Sequence, residues 1–389
     1  RNILYNIIIH ANLQNTNGFT KNKRASGIRL AAMRTAGRSV RGLHITAITA
    51  AVRTQPLPAP FVTAARRVDA LTEAVITVET DEGFSGCCGV PDLAAVTGDT
   101  PGSAVYAAER IFAPLLVGCE LTADAAERCG KALYGNPGAK AALDVAVHCA
   151  LAASRKAPLC ELLGGEMREL TTDLTVSAGR PADVAANAAD AYARGFSILK
   201  IKLGTDIGAD LQTLRELKAA LPPDACLRLD ANQGWTAAEA LRAAELCTAL
   251  GLNVDFLEQP TPCADLRALA EVTRGTELRV LADESARDPE SVRRIIETGS
   301  ADMVSIKLFK CGGLRRAREI ADCCASQGVG VVMSCMLEGA EGTAAAAHFA
   351  AAAGIDRLDL DAPLLCGRTR AGDVVFDGCR IRFLRERAE

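Results

Sequence analysis

The chain has 389 residues, 49% hydrophobic and 23% charged, a globular composition in a chain too long for one ordinary core. Its net charge of −3 gives no bulk attraction to nucleic acid or an anionic membrane, and no apolar run is long and charge-free enough to span a bilayer. The 15 cysteines are odd in number and contain no Cys-x-x-Cys pair; this argues against zinc ligation or a disulfide framework and for small core residues in a reducing compartment.

Residues 1–42 are basic, from Arg1 to Arg41, and no acidic residue precedes Asp69. The segment reads as a disordered basic tail, sequence upstream of Met33, or an organelle transit peptide. A cytoplasmic location is expected, with organelle import if the segment is a transit peptide. From His44 onward "LHITAITAAVRT" and "EAVITVETDEG" read as strands of a hairpin or meander. Between them "PLPAPFVTAARR" reads as a loop. Residues 101–163 are Ala-rich with helical spacing, so a sheet followed by helices predicts a small α+β domain over 43–164.

Beyond "LLGG" the texture changes. Eight short apolar runs, "DLTVS", "ILKIKL", "CLRLDA", "VDFLEQ", "RVLADE", "MVSIKL", "GVVMS" and "IDRLDL", alternate with amphipathic stretches such as "DLQTLRELKAAL". Repeated βα units over about 200 residues match a compact (β/α)8 barrel. A doubly wound open sheet is the competing α/β architecture, but no glycine-rich dinucleotide turn follows the first strand.

Lys200, Asp230, Glu258, Asp283 and Lys307 fall late in successive runs or just after them. At the C-terminal ends of barrel strands they would converge on one mouth. Asp230, Glu258 and Asp283 are hard oxygen donors from three consecutive strands, a set suited to Mg²⁺. Each alone could merely cap the helix that follows. Lys200 and Lys202 share a face, since strand side chains alternate. One ammonium would depress the pKa of the other and make a neutral amine base available. Lys307, four strands further round, would face them from the opposite wall, unless it is a snorkelling surface lysine. "RLDLDAPLL" puts Asp359 and Asp361 on one face at the eighth strand. They would suit a substrate ammonium, or Asp361 simply opens a turn before Pro363.

"LKIKLG", "LRLDANQGW", "DFLEQP", "LADES" and "SIKLFKCGG", in this order and spacing, resemble the enolase superfamily, in particular its muconate lactonizing enzyme subgroup. The Asp-x-Asp at 359 and 361 resembles that of the dipeptide epimerases of the L-Ala-D/L-Glu epimerase type. The resemblance implies an α/β fold: a (β/α)7β TIM-like barrel over 165–362, the α+β capping domain over 43–164, and a segment 363–389 returning to the cap. It implies one Mg²⁺ per subunit on Asp230, Glu258 and Asp283. Lys202 and Lys307 would be the acid/base pair, Lys200 their electrostatic assistant, and Asp359 and Asp361 the ligands of a dipeptide's free amine. The implied activity is inversion of the C-terminal residue's α-carbon through an enolate, in a homo-oligomer with no nucleic-acid or membrane partner. Other activities of the subgroup are the alternative: muconate cycloisomerase, o-succinylbenzoate synthase or N-acylamino acid racemase. A catalytically silent barrel is a further one. Matched positions suggest substrate contacts at Ser177, Ser334, Met336 and Glu338. In L-Ala-D/L-Glu epimerases a basic residue of the cap loop receives the substrate's side-chain carboxylate; Arg66 and Arg67 lie in this loop but neither falls squarely on that position, so they would select an acidic side chain or are ordinary surface arginines. The cap turn departs from the usual Gly-x-Gly-x-Gly-Glu-Ala pattern: "GFSGCCGVPD" has Gly89 where the Glu would fall.

Overall fold

The computed structural model describes residues 42–63 and 67–384. The basic segment 1–41 and Arg66 lie outside the described residues.

The cap is built on an antiparallel sheet of β1 (Ile45–Val62), β2 (Arg67–Thr80) and β3 (Ser85–Pro91), in that order. Strand β1 runs through most of the stretch read as a loop, with a register irregularity between Pro56 and Phe61. Its place at the sheet edge explains the difference: Pro56, Pro58 and Pro60 need no ladder donor on the outward side. Helix Pro137–Ser154 packs on the sheet and is buried over most of its length, so its apolar residues occur on every face.

A two-residue strand β4 (Leu170–Thr171) leads into the second architecture. Eight parallel strands follow in consecutive order: β5 (Leu174–Val176), β6 (Ile198–Lys202), β7 (Cys226–Asp230), β8 (Val254–Glu258), β9 (Val280–Ala282), β10 (Met303–Ile306), β11 (Gly330–Ser334) and β12 (Leu358–Asp359). A parallel bridge between Thr172 and Leu358 closes the ring. Helices Pro181–Ala193, Ile207–Ala220, Ala237–Leu250, Leu266–Gly275, Pro289–Thr298, Leu314–Gln327 and Ala340–Ala353 connect successive strands, which makes the barrel (β/α)7β. Their starts are written in the sequence. Asp206 and Asp265 cap the backbone three residues on, and Thr236 and Asp288 form reciprocal capping boxes with Glu239 and Ser291.

The remaining strands, β13 (Arg370–Ala371), β14 (Val374–Asp377) and β15 (Arg380–Phe383), form a small sheet with β4, not with the cap sheet. The segment meets the cap nearby, where Gln55 accepts from Arg368 and donates to the Cys366 carbonyl, both within 2.8 Å.

The alternation along each strand sorts the residues. Leu199, Ile201, Leu227, Leu229 and Leu257 join one core that runs through helices and cap. The ring interior has its own small apolar cluster of Phe256, Leu281, Met303 and Val332. Arg228 lies over Phe256, 5.1 Å from the ring centre, and donates to Asp173 at 2.7 Å. Above this floor the inward side chains are charged.

Candidate active site

Strand register sets the heights of these charges. Lys202 pairs with Asp230, Asp230 with Glu258, and Ser334 with Asp359. The four residues Asp230, Glu258, Ser334 and Asp359 end their strands. Asp283 and Lys307 follow β9 and β10 immediately, so the rim residues come from the same level of the barrel.

A cavity of about 280 Å³ opens there between barrel and cap. Lys200, Lys202, Asp283, Lys307, Met336, Asp359 and Asp361 line it, together with Phe61 and Val96 of the cap. Asp230 and Glu258 do not line it themselves but are bonded to Lys200, which does. Lys200 is 2% exposed, and its ammonium reaches Asp230 at 3.2 Å, Glu258 at 2.9 Å and Asp359 at 2.7 Å. Lys202 donates to Asp230 at 2.6 Å and Lys307 to Asp283 at 2.9 Å. Asp361 accepts the Thr175 backbone N–H at 2.6 Å. The two lysines in a core-like strand are therefore tolerated because each has carboxylate partners.

Lys200 does not show the depression expected from sequence. Burial lowers Lys307, but Asp283, with Glu258 and Asp359, outweighs it, and the net direction is upward. Lys200 is raised as well: burial opposes, and Asp359, Glu258 and Asp230 prevail. Burial pushes Asp283 up, but Lys307 and Lys310 hold it well below the usual carboxylate range. Glu258 goes the other way, to about 8, through burial and then the charge of Asp230. Asp361 is raised to about 6 by burial and by Asp359.

These directions bear on a divalent cation. Among the described residues no three His, Cys, Asp or Glu side chains stand together as a ready-made metal cluster. Lysine amines occupy the carboxylate oxygens instead. The donors nevertheless fit Mg²⁺: all three are hard oxygens, and burial, then the charge of Asp230, drives Glu258 toward protonation, which a cation beside it would oppose. Two orphan oxygens adjoin them. Asn232 Oδ1 and Glu284 Oε2 are buried without a hydrogen-bond partner, and Glu284 is pushed up to about 7 by burial and Asp283. Asn232, Gln233 and Gln259, just past β7 and β8, all have positive φ, a strained backbone of the kind that collects at functional sites.

Other expected contacts fall elsewhere. Ser177 accepts from Val62 N at the end of β1, and Ser334 accepts from Ser305 at 3.0 Å; neither lines the cavity. Arg67 is exposed and paired with Asp69 at 2.9 Å, two residues along on the same strand face, so it does not turn to the cavity. Glu338 folds back to accept from Met336 N at 2.8 Å and is pushed to about 8 by burial. Sequence reasoning missed Lys310, which is buried and donates to the Asp283 carboxylate and to the Ser305 carbonyl. The signal was the second lysine of "SIKLFKCGG", one turn after Lys307. Glu284, Asn232 and the Arg228–Asp173 pair were missed too, although "LADES" and "LRLDANQGW" contain most of them.

Family models agree with this architecture. Residues 45–164 match the mandelate racemase / muconate lactonizing enzyme N-terminal domain, and residues 183–364 match the enolase C-terminal domain-like family. The chain belongs to the enolase superfamily. It is 35% identical over 330 residues to the L-Ala-D/L-Glu epimerase of Clostridium acetobutylicum, across 84% of this chain and 92% of that protein. Among solved structures, the substrate-liganded L-Ala-D/L-Glu epimerase from Bacillus subtilis superposes with a TM-score of 0.83 at 34% identity, covering 87% of this chain and 96% of that one. A dipeptide epimerase from Enterococcus faecalis, complexed with Mg and the dipeptide L-Leu-L-Tyr, gives 0.82 at 30% identity, covering 87% and 97%.

Proposed function

We propose that the chain is an isomerase, an Mg²⁺-dependent dipeptide epimerase that inverts the α-carbon of the C-terminal residue by proton transfer between Lys202 and Lys307. The observation that carries this reading is the placement of the two amines. They stand on β6 and just past β10, four strands apart in a ring of eight, and both line one buried cavity. An amine on each side of one carbon can take a proton from one face and return one to the other.

Asp230, Glu258 and Asp283 would hold the metal, whose charge, when bound, stabilises the negative charge that develops on the substrate carboxylate. According to the enantiomer bound, Lys202 or Lys307 takes the α-proton, and the opposite ammonium delivers one to the other face, so each turnover leaves the pair with the same number of protons. Lys200, held by three carboxylates, supplies fixed positive charge beside the reacting carbon. Asp359 and Asp361 receive the substrate's N-terminal ammonium through charge-assisted hydrogen bonds. Met336 forms part of the wall against the substrate's side chains.

The relatives support the dipeptide. Two aspartates in the cavity disfavour the dianionic substrates of cycloisomerase or succinylbenzoate chemistry, which they would repel. The test is a panel of L,L-dipeptides with Mg²⁺. The L,D epimer is expected, abolished by chelation, and much slower when the N-terminus is acetylated. Turnover of acetylated and free dipeptides at equal rates would contradict the role given to Asp359 and Asp361.

A further inference from the structure

Arg53 on β1 and Glu73 on β2 are direct cross-strand partners in the cap. The guanidinium donates to Glu73 Oε1 at 2.5 Å and, through its two Nη atoms, to Glu341 at 3.0 and 2.6 Å. Glu341 belongs to the first turn of the barrel helix Ala340–Ala353. Glu73 is 2% exposed, and its other oxygen accepts the backbone N–H of Gly339 at 3.2 Å. That helix starts at Gly339, which has no side chain to cap its own first turn. A carboxylate from the cap therefore satisfies one of the donors that a helix N-terminus leaves open, and places negative charge where the helix dipole favours it.

Two close approaches make room for that carboxylate. A Cβ at Gly89 would lie 2.1 Å from Glu73 Oε2, and one at Gly339 would lie 2.6 Å from the same atom. Position 89 is where the cap turn departs from the related pattern. Its missing side chain leaves the volume that Glu73 fills from the neighbouring strand.

The stretch held in this way is the loop after β11. Cys335, Met336 and Leu337 line the cavity. Glu338 ties the loop to the barrel, accepting from Met336 N at 2.8 Å and from Thr343 Oγ1 at 3.3 Å. Glu73 ties its far end to the cap. The geometry points to Glu73, held by Arg53, as a positioning residue for the substrate pocket: it locks the 335–339 loop to the cap and sets how closely Met336 and Leu337 meet the substrate. It touches no reacting atom, so it acts on substrate binding and not on proton transfer.

The kinetic half of this inference rests on the dipeptide reading; the loop half does not. Glu73→Ala, Glu73→Gln and the double variant Glu73→Ala/Gly89→Glu are compared by hydrogen–deuterium exchange and by steady-state kinetics on the full chain. In Glu73→Ala, amides of 335–341 are expected to exchange about tenfold faster, with peptides of β5–β10 unchanged. KM is expected to rise about tenfold while kcat stays within about threefold. The double variant, which returns a carboxylate to the same volume, is expected to recover both. Should Glu73→Ala not fold, Glu73→Gln carries the comparison, since it keeps an acceptor for Gly339 but loses the ion pair with Arg53. Unchanged loop exchange, faster exchange throughout the barrel, or a loss confined to kcat would overturn the assignment. If the wild-type chain epimerised no dipeptide, the proposed activity would fall while the exchange result still decided the loop.

Discussion

Phe256 and Glu258 sit on the same inward face of β8, two residues apart, and Val332 and Ser334 do the same on β11. Leu281 lies one pleat below Asp283, and Met303 one pleat below Ser305. The lower set is an apolar plug; the upper set is a ring of buried ions and hydroxyls. One pleat separates a region built for packing from a region built for charge. The lower layer needs only volume and shape. The upper layer satisfies each buried lysine with carboxylates, yet burial, and then neighbouring acids, still raises Glu258 to about 8 and Glu284 to about 7. Such buried acid is a poor way to make a barrel stable and the mark of a candidate functional site.

Four substitutions sharpen this contrast. The largest expected effect is at the rim. Lys307→Ala should lower epimerisation by about a thousandfold or more, while Lys202 still exchanges the α-proton of the enantiomer it faces. Chiral chromatography and proton NMR separate the two outcomes, and substantial inversion without Lys307 would dissolve the two-lysine reading. In the plug the effect moves from rate to stability. Met303→Ala should cost about 2–5 kcal/mol in denaturant unfolding, with kcat changed far less than by the rim variant.

Glu338 tests how burial without a counter-ion behaves. Its folded pKa is raised to about 8 from 4.5. The neutral form's contribution is complete below pH 4.5 and is lost as pH rises toward 8, by about 1.4 kcal/mol per pH unit across that window. Glu338→Gln should flatten that part of the stability–pH curve; an unchanged slope in urea titrations at pH 5, 6.5 and 8 would show that another group sets it. The smallest expected effect belongs to Asp361→Asn, which should raise KM for a free dipeptide by about tenfold with little change in kcat. Competition between free and N-acetylated dipeptides reads it directly.

Much of the barrel and its rim was legible because both follow short-range rules. Period-two alternation turned Lys200 and Lys202 to one face, and the βα repeat brought Asp230, Glu258 and Asp283 to one level. What stayed hidden depends on contacts between distant residues. Nothing local in "TEAV" announces that Glu73 reaches Gly339, 266 residues away. The pairing of Arg67 with Asp69 is local, yet motif matching alone passed over it. Lys310 was hidden in a different way: its value depends on Asp283, one βα unit earlier. The expected depression of Lys200 failed because it counted the neighbouring ammonium and not Asp359, Glu258 and Asp230, which the fold packs against it. The extent of β1 was obscured by prolines that only an edge strand accepts.

The most direct test of the account is the fate of the α-hydrogen. Wild-type protein is incubated with Mg²⁺ and a panel of L,L-dipeptides in D₂O, and each product is read by NMR and mass spectrometry. The expected product is an L,D epimer carrying one deuterium at the α-carbon of the C-terminal residue, and none at the N-terminal residue. Absence of both epimer and α-deuterium for every dipeptide would contradict it.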